Sequence, residues 1–133
     1  MDLSNFDTKA GATRGAWLHL VAPNGQLLYA DEADENGKYH KPMRIQLLGT
    51  DSDEFQAGAK RLAGGKQKPT AGNDEEKMYT LLAAVTKGWE NIILNGAELE
   101  YTKENVKGLY RDYPFIFDQV FEFIQDRTAF LEN

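Results

Sequence analysis

At 133 residues, 41% hydrophobic and 11% aromatic, the chain carries material for one domain with a modest core and too many rings for wholesale disorder. A formal net charge of −6 argues against DNA or RNA as a partner, because phosphate binders carry a basic surplus. The absence of cysteine excludes disulfides and thiolate chemistry, and no run approaches the ~20 apolar residues of a membrane span.

Residues 1–15 are polar and small, include Gly11 and Gly15, and read as a flexible arm outside the domain. The start, Met1 to Asn5, lacks the basic and apolar pattern of a signal peptide, which suits a cytoplasmic protein. Trp17 to Val21 is a β-type run, and Pro23-Asn24-Gly25 supplies turn chemistry before a returning strand at Leu27-Leu28-Tyr29. An acidic loop, Asp31 to Gly37, leads to a third strand at Met43–Leu48, where Met43, Ile45 and Leu47 alternate with more polar neighbours.

From residue 50 the period shifts towards 3.6. Asp51-Ser52-Asp53-Glu54 is a helix start, with Phe55, Ala59 and Leu62 on one face and Gly64-Gly65 as the stop. Residues 66–72 read as a loop, and the basic residues Lys60, Arg61, Lys66 and Lys68 as a solvated stretch. A long helix is predicted from Asn73 or Asp74, because Met78, Leu81, Leu82, Val85, Trp89 and Ile92 recur at helical spacing; Asn95-Gly96 would end it. Thr102 caps the next helix, with Tyr101 and Val106 placed as a hydrophobic staple and Val106, Leu109 and Tyr110 on its apolar side. Pro114 opens the last. On that helix Ile116, Phe117, Val120, Phe121, Phe123 and Ile124 spread over roughly 160° at ~100° per residue. One buried face needs only about 100° or somewhat more, so the helix either lies centrally between neighbours or keeps part of its surface for a partner. The reading is one α+β domain over 16–133. It places an antiparallel sheet of about three strands in 16–48 and about four helices in 51–131.

Tests for chemistry mostly fail. Ser4 lies in the arm and Ser52 suits a cap, so no nucleophile–histidine pair is foreseen, and neither His19 nor His40 has a base or acid placed beside it. The acidic loop departs from a calcium loop at its first position, Glu32, and at its twelfth, Met43; a solvated turn is the better reading. Gly64-Gly65-Lys66 lacks the rest of a phosphate loop. No cofactor, metal or catalysis is expected. What remains is aromatic and aliphatic surface in the C-terminal half, which interfaces use for anchors. Trp89, Tyr113, Phe115, Phe117, Phe121 and Ile124 are the candidate partner-binding residues.

Two stretches resemble the tail assembly chaperones of long-tailed, siphovirus-type phages. The first is Leu18-His19-Leu20-Val21-Ala22-Pro23-Asn24-Gly25 followed by Ile45 to Asp53. The second is Gly88-Trp89-Glu90-Asn91-Ile92 followed by Asn95 to Asn105, with Tyr113-Pro114 and the Phe-rich last helix after it. The resemblance covers roughly residues 16–131 and consists of structural punctuation, not a chemical signature. It implies a nucleotide-independent chaperone in the host cytoplasm that binds the tape measure protein, promotes polymerisation of the tail tube protein, and is absent from the finished particle. Self-association on a client with several sites is compatible with it. The competing expectation is a permanent minor structural protein of the virion, such as a tail terminator or head–tail connector.

Overall fold

The computed structural model describes residues 2–63 and 71–131. It is an α+β arrangement in which helices cover one face of a three-stranded antiparallel sheet. The predicted Gly64-Gly65 stop and the loop with Lys66, Lys68 and Pro69 lie outside the described residues.

The opening segment departs from a flexible arm. A 3-10 turn at Leu3–Phe6 leads into α1, Thr8–Arg14, each N-capped by an aspartate side chain, Asp2 and Asp7. Only Gly11 and Ala12 of α1 are buried, and they seat it on a C-terminal 3-10 turn, Arg127–Phe130. Gly49 N–H donates to the Ala12 carbonyl at 3.1 Å, and Lys9 reaches Asp53 at 3.2 Å. Arg127 grips Asp51 through two hydrogen bonds of 2.7 and 3.0 Å, which holds the Asp51 carboxyl below its ordinary range. Thus both ends of the described chain share one corner.

Strand β1, Ala16–His19, pairs with β2, Arg44–Leu47, in the register Leu18 to Ile45. Between them, the Pro23-Asn24-Gly25 turn is present, with Gly25 N–H donating to Ala22 at 2.8 Å. The predicted strand at 27–29 is reduced to isolated bridges, Val21 with Leu27 and Tyr29 with Pro42. The third place in the sheet goes to β3, Thr86–Glu90, which pairs with β2 on its other side. The sheet is therefore not confined to residues 16–48.

Helix α2, Asp53–Ala63, starts as the sequence indicates: Ser52 Oγ accepts from Phe55 N–H and donates to the Gly49 carbonyl. Helix α3, Ala71–Val85, is shorter than predicted. Its end is chemical. Thr86 Oγ1 donates to the Leu82 carbonyl at 2.7 Å and meets the Tyr110 hydroxyl at 2.7 Å, while Tyr101 hydroxyl donates to the Thr86 carbonyl. Beyond Thr86 the backbone hydrogen-bonds to β2 rather than to its own helix. Trp89 therefore stands on β3 and Ile92 beyond it, not on a helix. Asn95-Gly96 is a hairpin turn between β4, Ile93–Leu94, and β5, Ala97–Glu98. Both turn residues have positive φ, 54° and 82°, as the Asn-Gly pair favours.

Helix α4, Lys103–Asp112, is capped by Thr102, whose Oγ1 accepts from Asn105 N–H at 3.0 Å. Helix α5, Pro114–Gln125, has proline in its first turn. Helices α2 on α3, α3 on α4 and α4 on α5 pack in sequence order. The core joins Leu20, Ile45 and Leu47 of the sheet side to Leu82, Val85, Val106, Leu109, Ile116, Val120 and Ile124 of the helices. No helix among the described residues is long and apolar enough to cross a membrane.

Candidate partner-binding surface

The wide stripe of α5 resolves into a buried line and two flanks. Ile116, Val120 and Ile124 form the line, with at most 6% of each exposed. Phe115, Gln119 and Phe123 form one flank. There the Gln119 amide accepts from Val21 N–H at 2.8 Å and donates to its carbonyl at 2.9 Å, and Phe123 meets Phe130 at 5.3 Å between centroids. Phe117 and Phe121 form the other flank, their rings stacked at 5.9 Å and 9°. Tyr79 of α3 meets Phe117 edge-on at 5.6 Å. Helix α5 is thus a central helix with neighbours on both sides. Its apolar band is nonetheless wider than they cover: Phe121 stays 36% exposed.

The open margin has a definite shape. Phe121, Phe55, Thr50, Gln125 and Arg127 line a depression with Ile124 at its base. It is an apolar floor with polar groups at the rim, the pattern that admits a nonpolar side chain from another polypeptide.

The six predicted partner residues do not form one patch. Phe117 and Phe121 share the margin just described. Ile124 lies in the centre of the buried line and is 1% exposed, so it supports the depression without offering surface of its own. Tyr113 and Phe115 are half-buried at the start of α5, edge-on at 6.5 Å. Trp89 belongs to a different cluster. Its Nε1–H donates to the Leu99 carbonyl at 2.8 Å and its ring meets Tyr101 edge-on at 5.4 Å. Tyr101 is thus engaged by Trp89 and Thr86 in addition to its place before the Thr102 cap.

Further exposed apolar side chains lie in the N-terminal half, where the sequence reading placed no site. Leu3 is 86% exposed and Phe6 49%, on the first 3-10 turn. Trp17, Leu27 and Tyr39 are exposed as well. Leu18 faces α5, lining a depression with Gln119 and Phe123, so strand alternation turns Trp17 and His19 to the opposite face. On that face the Arg44 guanidinium lies 4.5 Å from the Trp17 ring centre and Arg44 Nε donates to Glu90 at 2.7 Å. The signal for this surface was the period of two in β1, which obliges alternate large residues to point outward.

The acidic loop is closed by its own side chains. Asp34 accepts from the Lys38 and Asn36 amides and from His40 Nε2, and the first of these, with the others, holds its carboxyl below the ordinary range. Desolvation raises the Asp31 carboxyl, but the His40 and Lys41 amides outweigh it and leave the group lowered. Those oxygens face backbone donors, a self-capped turn. Among the described residues no group of three or more His, Asp or Glu side chains is placed to hold a metal ion. His19 Nε2 bonds with the Leu28 carbonyl at 2.8 Å, and the ring stands edge-on to Tyr29. Compared with known proteins, the chain matches no family model, no curated protein and no solved structure.

Proposed function

We propose that this chain is a tail assembly chaperone that acts by protein binding and without catalysis. Its client is an apolar, helical polypeptide of the tape measure kind, and holding that client soluble favours polymerisation of tail tube subunits around it. The observation that carries the reading is the uncovered margin of α5, where Phe117 and Phe121 stack beside the depression lined by Phe55. A client helix laying one nonpolar side chain into that depression and others along the ring pair would cover surface that the subunit leaves wet. The sequence resemblance over residues 16–131 supplies the identity of the client. The net charge of −6 keeps such a complex soluble while it waits for tube subunits.

The test is co-expression with a tape measure protein of a long-tailed phage, followed by pull-down. Phe121 is 36% exposed and stacks on Phe117, so Phe121→Asp is expected to fold, with a urea melt lowered by about 1–2 kcal/mol. Client recovered in the soluble complex should fall about tenfold or more, the effect of a charge at the centre of an apolar contact. A folded Phe121→Asp protein that retains its client would place binding elsewhere. Purified particles containing the chain at fixed stoichiometry would instead favour a permanent tail terminator or head–tail connector.

A further inference from the structure

A second surface, remote in chemistry from the α5 margin, lies in the 21–42 segment between β1 and β2. Leu27, Tyr29 and Tyr39 line a shallow groove with Asp31, Glu32 and Ala33. Leu27 is 50% exposed and Tyr39 46%. Tyr29 and Tyr39 stack at 4.3 Å with an interplanar angle of 12°, and Tyr29 is braced edge-on by His19. The floor is therefore built of rings fixed by one another, ready before any ligand arrives.

The lining contains two carboxylates and no cation. Asp31 is fixed in the lining by the His40 and Lys41 amides, which its two oxygens accept, and Glu32 makes no hydrogen bond or ion pair among the described residues, so its carboxylate is the one left open to a ligand. An aromatic face is electron-rich and attracts a cation, and a planar guanidinium can in addition lie flat against the ring. This sheet already uses that contact within the chain, with Arg44 over Trp17. A glutamate-bearing or purely aliphatic ligand would meet repulsion or leave the carboxylates uncompensated.

We propose that this groove receives an extended, arginine-bearing segment of a partner polypeptide. An aliphatic side chain of the segment rests on Leu27, and a guanidinium lies on the open face of Tyr39 within reach of Asp31 and Glu32. The groove shares no lining residue with the α5 depression, so the two can be occupied together by different partners or by two parts of one.

The probe is a short, capped Gly/Ser/Leu peptide carrying arginines, titrated into the full chain while backbone amide shifts are recorded. A twin peptide has each arginine replaced by glutamate. The arginine peptide is expected to shift residues 27–33 and 39, and the glutamate twin to leave them unmoved. Glu32→Lys should weaken Kd about tenfold and Tyr39→Ala about fivefold, whereas Glu75→Lys on exposed α3 surface should change it less than about twofold. Urea melts confirm that each variant folds. Four results would overturn the proposal: shifts elsewhere or nowhere, equal binding of the glutamate twin, an equal loss in Glu75→Lys from charge alone, or a dimer in light scattering that Tyr39→Ala dissociates.

Discussion

Gly11→Ala is expected to destabilise the protein by about 2 kcal/mol, with a fall in Tm of roughly 8 °C. Helix propensity alone gives the opposite sign, since alanine in a helix interior is favoured over glycine by about 1 kcal/mol. Geometry decides. A Cβ at position 11 would stand 1.8 Å from the Phe130 carbonyl oxygen and 2.8 Å from its carbon, and these are backbone atoms that cannot rotate away. Either α1 lifts, exposing Ala12 and breaking the Gly49 to Ala12 hydrogen bond, or the C-terminal turn shifts and loosens Phe130 from Phe123. Gly58→Ala is the control: its Cβ would meet only the Leu81 Cδ1 methyl at 2.9 Å, which can swing. It should change stability by no more than about 0.5 kcal/mol, as propensity and adjustment offset. Urea melts measure both, and hydrogen exchange confined to residues 8–14 would show which side gives way in Gly11→Ala. Equal melts for the two variants would refute the close seating of α1.

The second large effect concerns the knot where α3 becomes β3. Thr86→Val keeps the shape of a side chain only 1% exposed but removes its hydroxyl, and is expected to cost about 2–3 kcal/mol. Thr86 has one hydroxyl proton and spends it on the Leu82 carbonyl, so the Tyr110 hydroxyl must donate to Thr86 Oγ1. Without that acceptor, a tyrosine hydroxyl in a side chain 1% exposed is left with no partner. Tyr110→Phe leaves the Thr86 bond to Leu82 intact and should cost only about 1 kcal/mol. The double variant should cost less than the sum, and additive losses would show that the hydroxyls do not act together.

The same tyrosine sets an alkaline limit. Burial pushes the Tyr110 pKa up from its ordinary value. Above about pH 10 the unfolded chain releases this proton while the folded chain keeps it. The Tyr110 contribution is therefore fully present below that pH and is lost as pH rises, with a slope near 1.4 kcal/mol per unit. Tyr110→Phe should show a shallower alkaline slope than the parent chain.

The parts of this fold written locally could be read directly. Ser52, Thr102 and Pro114 announce helix starts because their chemistry acts within four residues, and each sits where the local rule puts it. The alternation of Ile45 and Leu47 likewise fixes the buried face of β2. The errors arose where a distant partner decides. Leu82, Val85, Trp89 and Ile92 keep helical spacing, yet Thr86 diverts the chain to β2, and a strand with a bulge can satisfy the same apolar positions. Asn95-Gly96 belonged to a hairpin, whose short strands were hidden inside the presumed helix end. Helix α1 has almost no apolar signal, because its docking depends on what Gly11 lacks. At the candidate surface, the breadth of the α5 stripe indicated excess apolar area, but spacing could not separate Ile124, in the middle of the band, from Phe121 at its edge.

The position of β3 in the chain has a consequence for biosynthesis. Strand β2 is the middle strand, yet its second neighbour is encoded roughly forty residues after it, with α2 and α3 between. On the ribosome, β1 and β2 can pair early, and the bare edge of β2 then waits while two helices are synthesised. During that interval the nascent hairpin offers a row of unsatisfied amides and carbonyls to any neighbouring chain. Arrival of residues 86–90 closes the edge and, through Thr86, stops α3 in the same step.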